Sequence, residues 1–119
     1  MIVLADADLE LAARSAVWAR SVGAGQTCMS PKRILVDRTV AAPFAEAVCR
    51  HAHSLVVGDP RRPDTEVGPL RTPQLVEQAM EALEEAVRQG AELMAGGTVM
   101  GPGNLMRPAV LAGCTAGMR

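Results

Sequence analysis

Ile2-Val3-Leu4-Ala5-Asp6-Ala7-Asp8-Leu9 opens with three consecutive apolar residues, meets acid, and then passes into helical spacing. An unbroken apolar run of this kind reads as a strand buried on both faces. Asp6 or Asp8 can cap the helix that follows, over roughly residues 9 to 22. Its apolar positions Leu9, Ala12, Ala13, Ala16 and Val17 share one face, and Glu10 with Arg14 has the spacing of an i,i+4 ion pair. Gly23 and Gly25 stop that helix. After a loop containing Cys28 and Pro31, Arg33-Ile34-Leu35-Val36 repeats the strand signal. Strand, helix, strand is the beginning of a parallel α/β arrangement.

The rest of the chain continues the pattern. Thr39 can cap a second helix in which Pro43 falls within the first turn. Val40, Phe44, Ala47, Val48, His51 and Leu55 line one of its faces. Residues 58–69 have no apolar periodicity and read as a polar loop. Thr72-Pro73 is a cap followed by proline at the first helical position, starting a third helix with Val76, Ala79, Met80, Leu83 and Val87 inward and Gly90 past its end. Glu92-Leu93-Met94-Ala95 is a strand closed by Gly96-Gly97. Gly101-Pro102-Gly103-Asn104 is a turn, and Arg107-Pro108-Ala109-Val110-Leu111 is an edge strand, because Pro108 donates no ladder hydrogen bond. The expectation is an α/β fold with a partial three-layer αβα parallel sheet. Three helices with one apolar stripe each cannot cover both faces of a broad sheet, so the domain is either very thin or incomplete.

Composition limits the function classes. The 119 residues carry a formal net charge of -1, which is no electrostatic footprint for nucleic acid. No stretch approaches the ~20 apolar residues of a membrane helix, and the N-terminus lacks the basic region of a secretory signal. Trp18 and Phe44 are the only aromatic residues, so the core rests on Ala, Val, Leu and Met. Cys28, Cys49 and Cys114 are odd in number and far apart, which suits neither a disulfide framework nor a paired-cysteine zinc site. A reducing, cytoplasmic setting is the expectation.

Chemistry concentrates at Gly25-Gln26-Thr27-Cys28. Ligand sites of open α/β sheets gather on loops at strand ends, and Lys32 and Arg33 follow within five residues. Nearby cations favour the thiolate, which is the nucleophilic form. On the residues alone, a nucleophile and a small packed cysteine both remain open for Cys28. Cys49 sits mid-helix and reads as packing. His51 and His53, at i,i+2, face different directions, which argues against a shared metal. The acidic run Glu77, Glu81, Glu84, Glu85 is a solvated helix face. No Gly-x-Gly-x-x-Gly or Walker pattern occurs, so the sequence offers no phosphate cradle.

Taken in register, these pieces resemble the aldehyde dehydrogenase superfamily along essentially the whole chain. Ile2-Val3-Leu4-Ala5-Asp6-Ala7-Asp8-Leu9 is similar to its strand-and-acid entry to a helix. Gly25-Gln26-Thr27-Cys28 with Arg33 downstream resembles its nucleophile motif. Val57-Gly58-Asp59-Pro60 and Thr65-Glu66-Val67-Gly68-Pro69 match its long polar loop, and Gln89-Gly90-Ala91, Gly96-Gly97 and Arg107-Pro108-Ala109-Val110-Leu111 match its helix-strand-strand close. The family has Asn two residues before the motif glycine, where this chain has Gly23.

The resemblance implies that Cys28 is the catalytic nucleophile, attacking an aldehyde to form a thiohemiacetal. Hydride passes to NAD or NADP, leaving a thioester that is hydrolysed to the acid. It implies further that residues 1–119 are a partial catalytic domain. The dinucleotide-binding domain, the Glu-Leu-Gly-Gly segment with the general base and the Glu-Glu-x-Phe-Gly-Pro segment would lie outside it. The 119 residues alone are then expected to be inactive, with a small aldehyde as substrate and a homo-oligomer as the full-length assembly. The alternative from another class is a non-catalytic module of the same fold with an assembly role. Thr27 and Met29, beside Cys28, are uncharged and give no sign of a carboxylated substrate.

Overall fold

The opening strand pairs with the strand that follows the cysteine loop. In the computed structural model, which describes residues 1–101 and 103–118, β1 (Ile2–Val3) and β2 (Leu35–Val36) run parallel, Ile2 opposite Leu35 and Val3 opposite Val36. Parallel strands need a crossover, and α1 (Leu9–Ser21) supplies it. Asp8 is its cap, accepting from the Leu11 N–H at 3.0 Å.

The second helix starts differently from the sequence expectation. Thr39 does not cap it. Its N–H and hydroxyl are both taken by the Asp37 carboxylate, at 2.9 and 2.6 Å. This local closure produces a 3₁₀ turn over Arg38–Val40, and α2 (Ala41–Ser54) begins after it. Glu10 is likewise engaged by Arg50 and His51 of α2, not by Arg14. α1 and α2 pack together through Ala13 and Ala16, which are almost fully buried and small enough for close approach. Val3, Val17, Phe44, Ala47 and Val48 complete this cluster. Phe44 is the largest side chain in it, a burial worth about 1.5–3 kcal/mol.

α3 (Pro73–Arg88) has the expected Thr72 cap, whose hydroxyl accepts from Leu75. Its buried stripe is Val76, Leu83 and Ala86; Val87, expected inward, is 44% exposed because the stripe turns toward Ala86. β3 (Glu92–Ala95) and β4 (Val110–Ala112) form an antiparallel pair with an irregularity between Leu93 and Ala95. The strand expected over Arg107–Leu111 is confined to Val110–Ala112, leaving Pro108, which has no N–H to donate, outside it. The expected turn at 101–104 includes Pro102, outside the described residues.

Side chains of β4 alternate between layers. Val110 packs on the α1–α2 cluster and Leu111 on Ala86 of α3. The β3–β4 pair is therefore the middle of three layers, which places the chain in the α/β class. Against the expectation of strands buried on both faces, the β1–β2 pair has, among the described residues, helices on the Val3–Val36 side only. Its other face presents Ile2 and Leu35, 70% and 64% exposed.

Candidate functional site

Cys28 lies on the connection from α1 to β2. After α1, Gly23, Ala24 and Gly25 follow one another with positive φ (59°, 54° and 73°). A side chain is unfavourable in this left-handed region by about 1–2 kcal/mol, and only Ala24 carries one here. Gly25 has a second constraint. A Cβ there would stand 2.8 Å from the guanidinium carbon of Arg20, and Arg20 Nη1 donates to the Gly25 carbonyl at 2.7 Å. The arginine thus ties the last turn of α1 to the loop.

Residues 27–30 form a turn, closed by the Ser30 N–H donating to the Thr27 carbonyl at 3.3 Å. The Thr27 and Ser30 hydroxyls lie 2.8 Å apart, and buried Ser30 also donates to the Ala19 carbonyl at 3.3 Å. Cys28 and Met29 occupy the tip. Both are exposed, Met29 at 87%. The backbone at the thiol is therefore anchored on either side while the thiol itself faces solvent.

Two further side chains complete the setting. Gln26 Nε2 donates to the Gly23 carbonyl at 3.0 Å, and its Oε1 accepts from the Arg71 N–H at 2.8 Å. Arg33 donates from Nη2 to the Met118 carbonyl at 3.2 Å, so this cation is engaged with the chain's far segment. A groove of about 320 Å³ runs behind the loop, bordered by Arg20, Gly25, Leu70, Leu83, Met106 and Arg107. Cys28 is not among its lining residues.

The other sequence candidates are placed apart. Cys49 is half-buried in α2, and burial pushes its thiol up from the ordinary value. Cys114 is exposed. His51 Nε2 meets Glu10 Oε1 at 2.8 Å, and His53 Nδ1 donates to the Cys49 carbonyl at 2.9 Å. Among the described residues no cluster of His, Cys, Asp and Glu has the geometry of a metal site. No helix among them is long and apolar enough to cross a membrane. Sequence reading missed Arg20, Ser30 and Arg71 as parts of the site. Only the Gln beside Thr27-Cys28 carried a signal, and its partner lies 45 residues away.

The chain is similar to known proteins along its whole length. The family profile described as "Aldehyde dehydrogenase family" matches residues 1–119. The succinate semialdehyde dehydrogenase [NAD(P)+] Sad of Escherichia coli (strain K12) is 40% identical over 118 residues, covering 98% of this chain and 26% of that protein. The benzaldehyde dehydrogenase [NAD(+)] of Pseudomonas putida is 44% identical over 97 residues, 82% of this chain and 20% of that protein. A crystal structure of an aldehyde dehydrogenase from Brucella melitensis biovar abortus 2308 superposes with a TM-score of 0.94 at 36% identity, over 99% of this chain and 24% of its own. The chain spans about a quarter of the length of the curated relatives it matches.

Proposed function

The chain belongs to the aldehyde dehydrogenase family, and from that premise we propose that it carries the nucleophile of an NAD(P)+-dependent aldehyde dehydrogenase, with Cys28 in that role. The observation that carries the proposal is the anchored turn. Its tip holds a thiol open to solvent, and side-chain bonds on both sides fix the backbone beneath it. A catalytic thiol needs this combination of access and fixed direction.

The steps derived from these residues are those at sulfur. The Cys28 thiolate adds to the aldehyde carbonyl carbon, a C–S bond forms, and the carbonyl π electrons move to oxygen. Protonation of that oxygen gives a thiohemiacetal. The Cys28 backbone N–H is the proposed donor to the oxyanion during addition. Oxidation at this carbon and hydrolysis of the resulting thioester would complete conversion of aldehyde to carboxylic acid.

NAD or NADP as oxidant rests on the relatives' names. The described residues do not themselves fit a dinucleotide. A pyrophosphate seeks a helix N-terminus with free N–H groups behind a glycine-rich turn. α1 and α3 each engage a first-turn N–H with their own Asp8 and Thr72 side chains. α2, which has no side-chain cap, follows Asp37-Arg38-Thr39-Val40, with an anionic Asp37 and no glycine. No hydride-transfer step is derived from them, and the 119 residues alone are proposed to lack turnover. Three free thiols suit a reducing, cytoplasmic setting, and a homo-oligomeric full-length enzyme is part of the same proposal.

Iodoacetamide labelling with peptide mapping tests the nucleophile. Cys28 is expected to be modified well ahead of Cys49 and Cys114. Equal labelling of exposed Cys114 would remove the distinction between an anchored nucleophile and an ordinary surface thiol.

A further inference from the structure

We infer that Gln26 is a positioning residue that holds the Cys28 turn against the segment leading into α3; its catalytic meaning rests on Cys28 being the nucleophile. Gln26 is exposed, yet both halves of its amide are engaged inside the protein. Holding a flexible glutamine in one rotamer costs side-chain entropy. A surface position that bears this cost through two separate bonds marks a structural constraint.

The two bonds act on different things. Nε2, donating to the Gly23 carbonyl, closes the left-handed run that reverses the chain after α1. Oε1, accepting from the Arg71 N–H, reaches the residue just before the Thr72 cap of α3. Among the described residues it is the one hydrogen bond joining residues 23–30 to the chain beyond them. The ties from Arg20 and Ser30 fix the turn to α1 alone. Without Gln26 the thiol keeps its height above α1 and loses its bearing toward α3. Asparagine is too short to reach both partners. Glutamate keeps an acceptor for Arg71 and gives up the donor to Gly23.

The test uses the full chain with Cys49→Ala and Cys114→Ala, so that a trifluoroacetonyl tag reports Cys28 alone by fluorine NMR. Amide exchange at Arg71 reports the far end. Gln26→Met and Gln26→Asn are expected to speed Arg71 exchange by about tenfold, the scale of one net hydrogen bond. They should also move the Cys28 resonance toward its position in the urea-unfolded chain, while amides of Ala13 and Ala16 in α1 keep their protection. Gln26→Glu, which keeps the acceptor for the Arg71 N–H, should restore slow exchange at Arg71. The inference is overturned if Gln26→Met leaves either signal where the parent has it, or if Gln26→Glu speeds Arg71 exchange as Gln26→Met does. Neither readout depends on thiol reactivity. Failure of the labelling test would therefore remove the nucleophile and leave this tether standing, and the converse also holds.

Discussion

Gly96→Ala should be among the most damaging methyl additions available to this protein. Gly96 follows β3 with φ of 69°, and a Cβ built there would lie 1.8 Å from the Pro108 carbonyl oxygen and 2.8 Å from its carbonyl carbon. Both are backbone atoms, so no rotamer change relieves the contact. To reach even 3.0 Å, the 108 peptide must retreat by about 1.2 Å. That movement pulls on the neighbouring bonds from Gly97 N–H to the Arg107 carbonyl (3.1 Å) and from Arg107 N–H to the Thr98 carbonyl (2.9 Å). The left-handed backbone costs an alanine about 1–2 kcal/mol, and overpacking adds about 1–3 kcal/mol. A total of about 2–5 kcal/mol follows, a large share of the about 6–18 kcal/mol expected for a chain of this length. Gly113→Ala is the matched control. Its φ is 68°, and its nearest contact would be an ordinary 3.8 Å to the Gly90 carbonyl. It should cost only the backbone strain. Urea unfolding followed by circular dichroism separates the two, with Gly96→Ala lowering the midpoint by roughly 1–2.5 M at an m of ~2 kcal/mol/M. Equal midpoint shifts for the two variants would refute the steric reasoning.

Glu10 supplies a pH-dependent prediction. The hydrogen bond from His51, with help from Arg50, holds its carboxyl below the ordinary carboxylate value. A depressed folded value means stability that is complete above the unfolded carboxylate value of about 4.3 and lost as pH falls through the folded one. The stability gap between the parent and Glu10→Gln should therefore be open just above the carboxylate range and close under acid; a gap that ignores acid in urea titrations contradicts the pairing. Turnover supplies the other prediction. The 119-residue chain with NAD+ or NADP+ and a panel of aliphatic, aromatic and semialdehyde substrates should produce no reduced nicotinamide by ultraviolet absorbance. A rate abolished by Cys28→Ala would show that the chain completes a cofactor site after all.

Helices were the most legible elements, for physical reasons that vary along the chain. α1 and α3 combine a periodic apolar stripe with a capping side chain, and both caps, Asp8 and Thr72, stand where the spacing puts them. At α2 the sequence contains two competing oxygen-bearing residues. Asp37 captures Thr39, so the cap signal at 39 marks a 3₁₀ turn two residues before the helix. Glu10 shows what periodicity cannot reach, since its true partners are 40 and 41 residues distant on another helix. The candidate site divides the same way. The thiol and its glycine-flanked loop were visible in Gly25-Gln26-Thr27-Cys28, and local chemistry explains the turn. The grip of Arg20 on Gly25 and of Gln26 on Arg71 depends on three-dimensional placement, for which a single sequence holds no rule.

The bare side of the β1–β2 pair has a kinetic consequence. Ile2 and Leu35 sit opposite each other with water above them, and Leu4 extends the same row at 61% exposure. Among the described residues no third strand occupies either margin of the pair. Collapse of one chain is first order in protein, whereas encounter of two such rows is second order. Recovery after dilution from denaturant is then a race whose winner is set by concentration. Yield should fall as the protein is refolded more densely, with the sequence, temperature and buffer all unchanged.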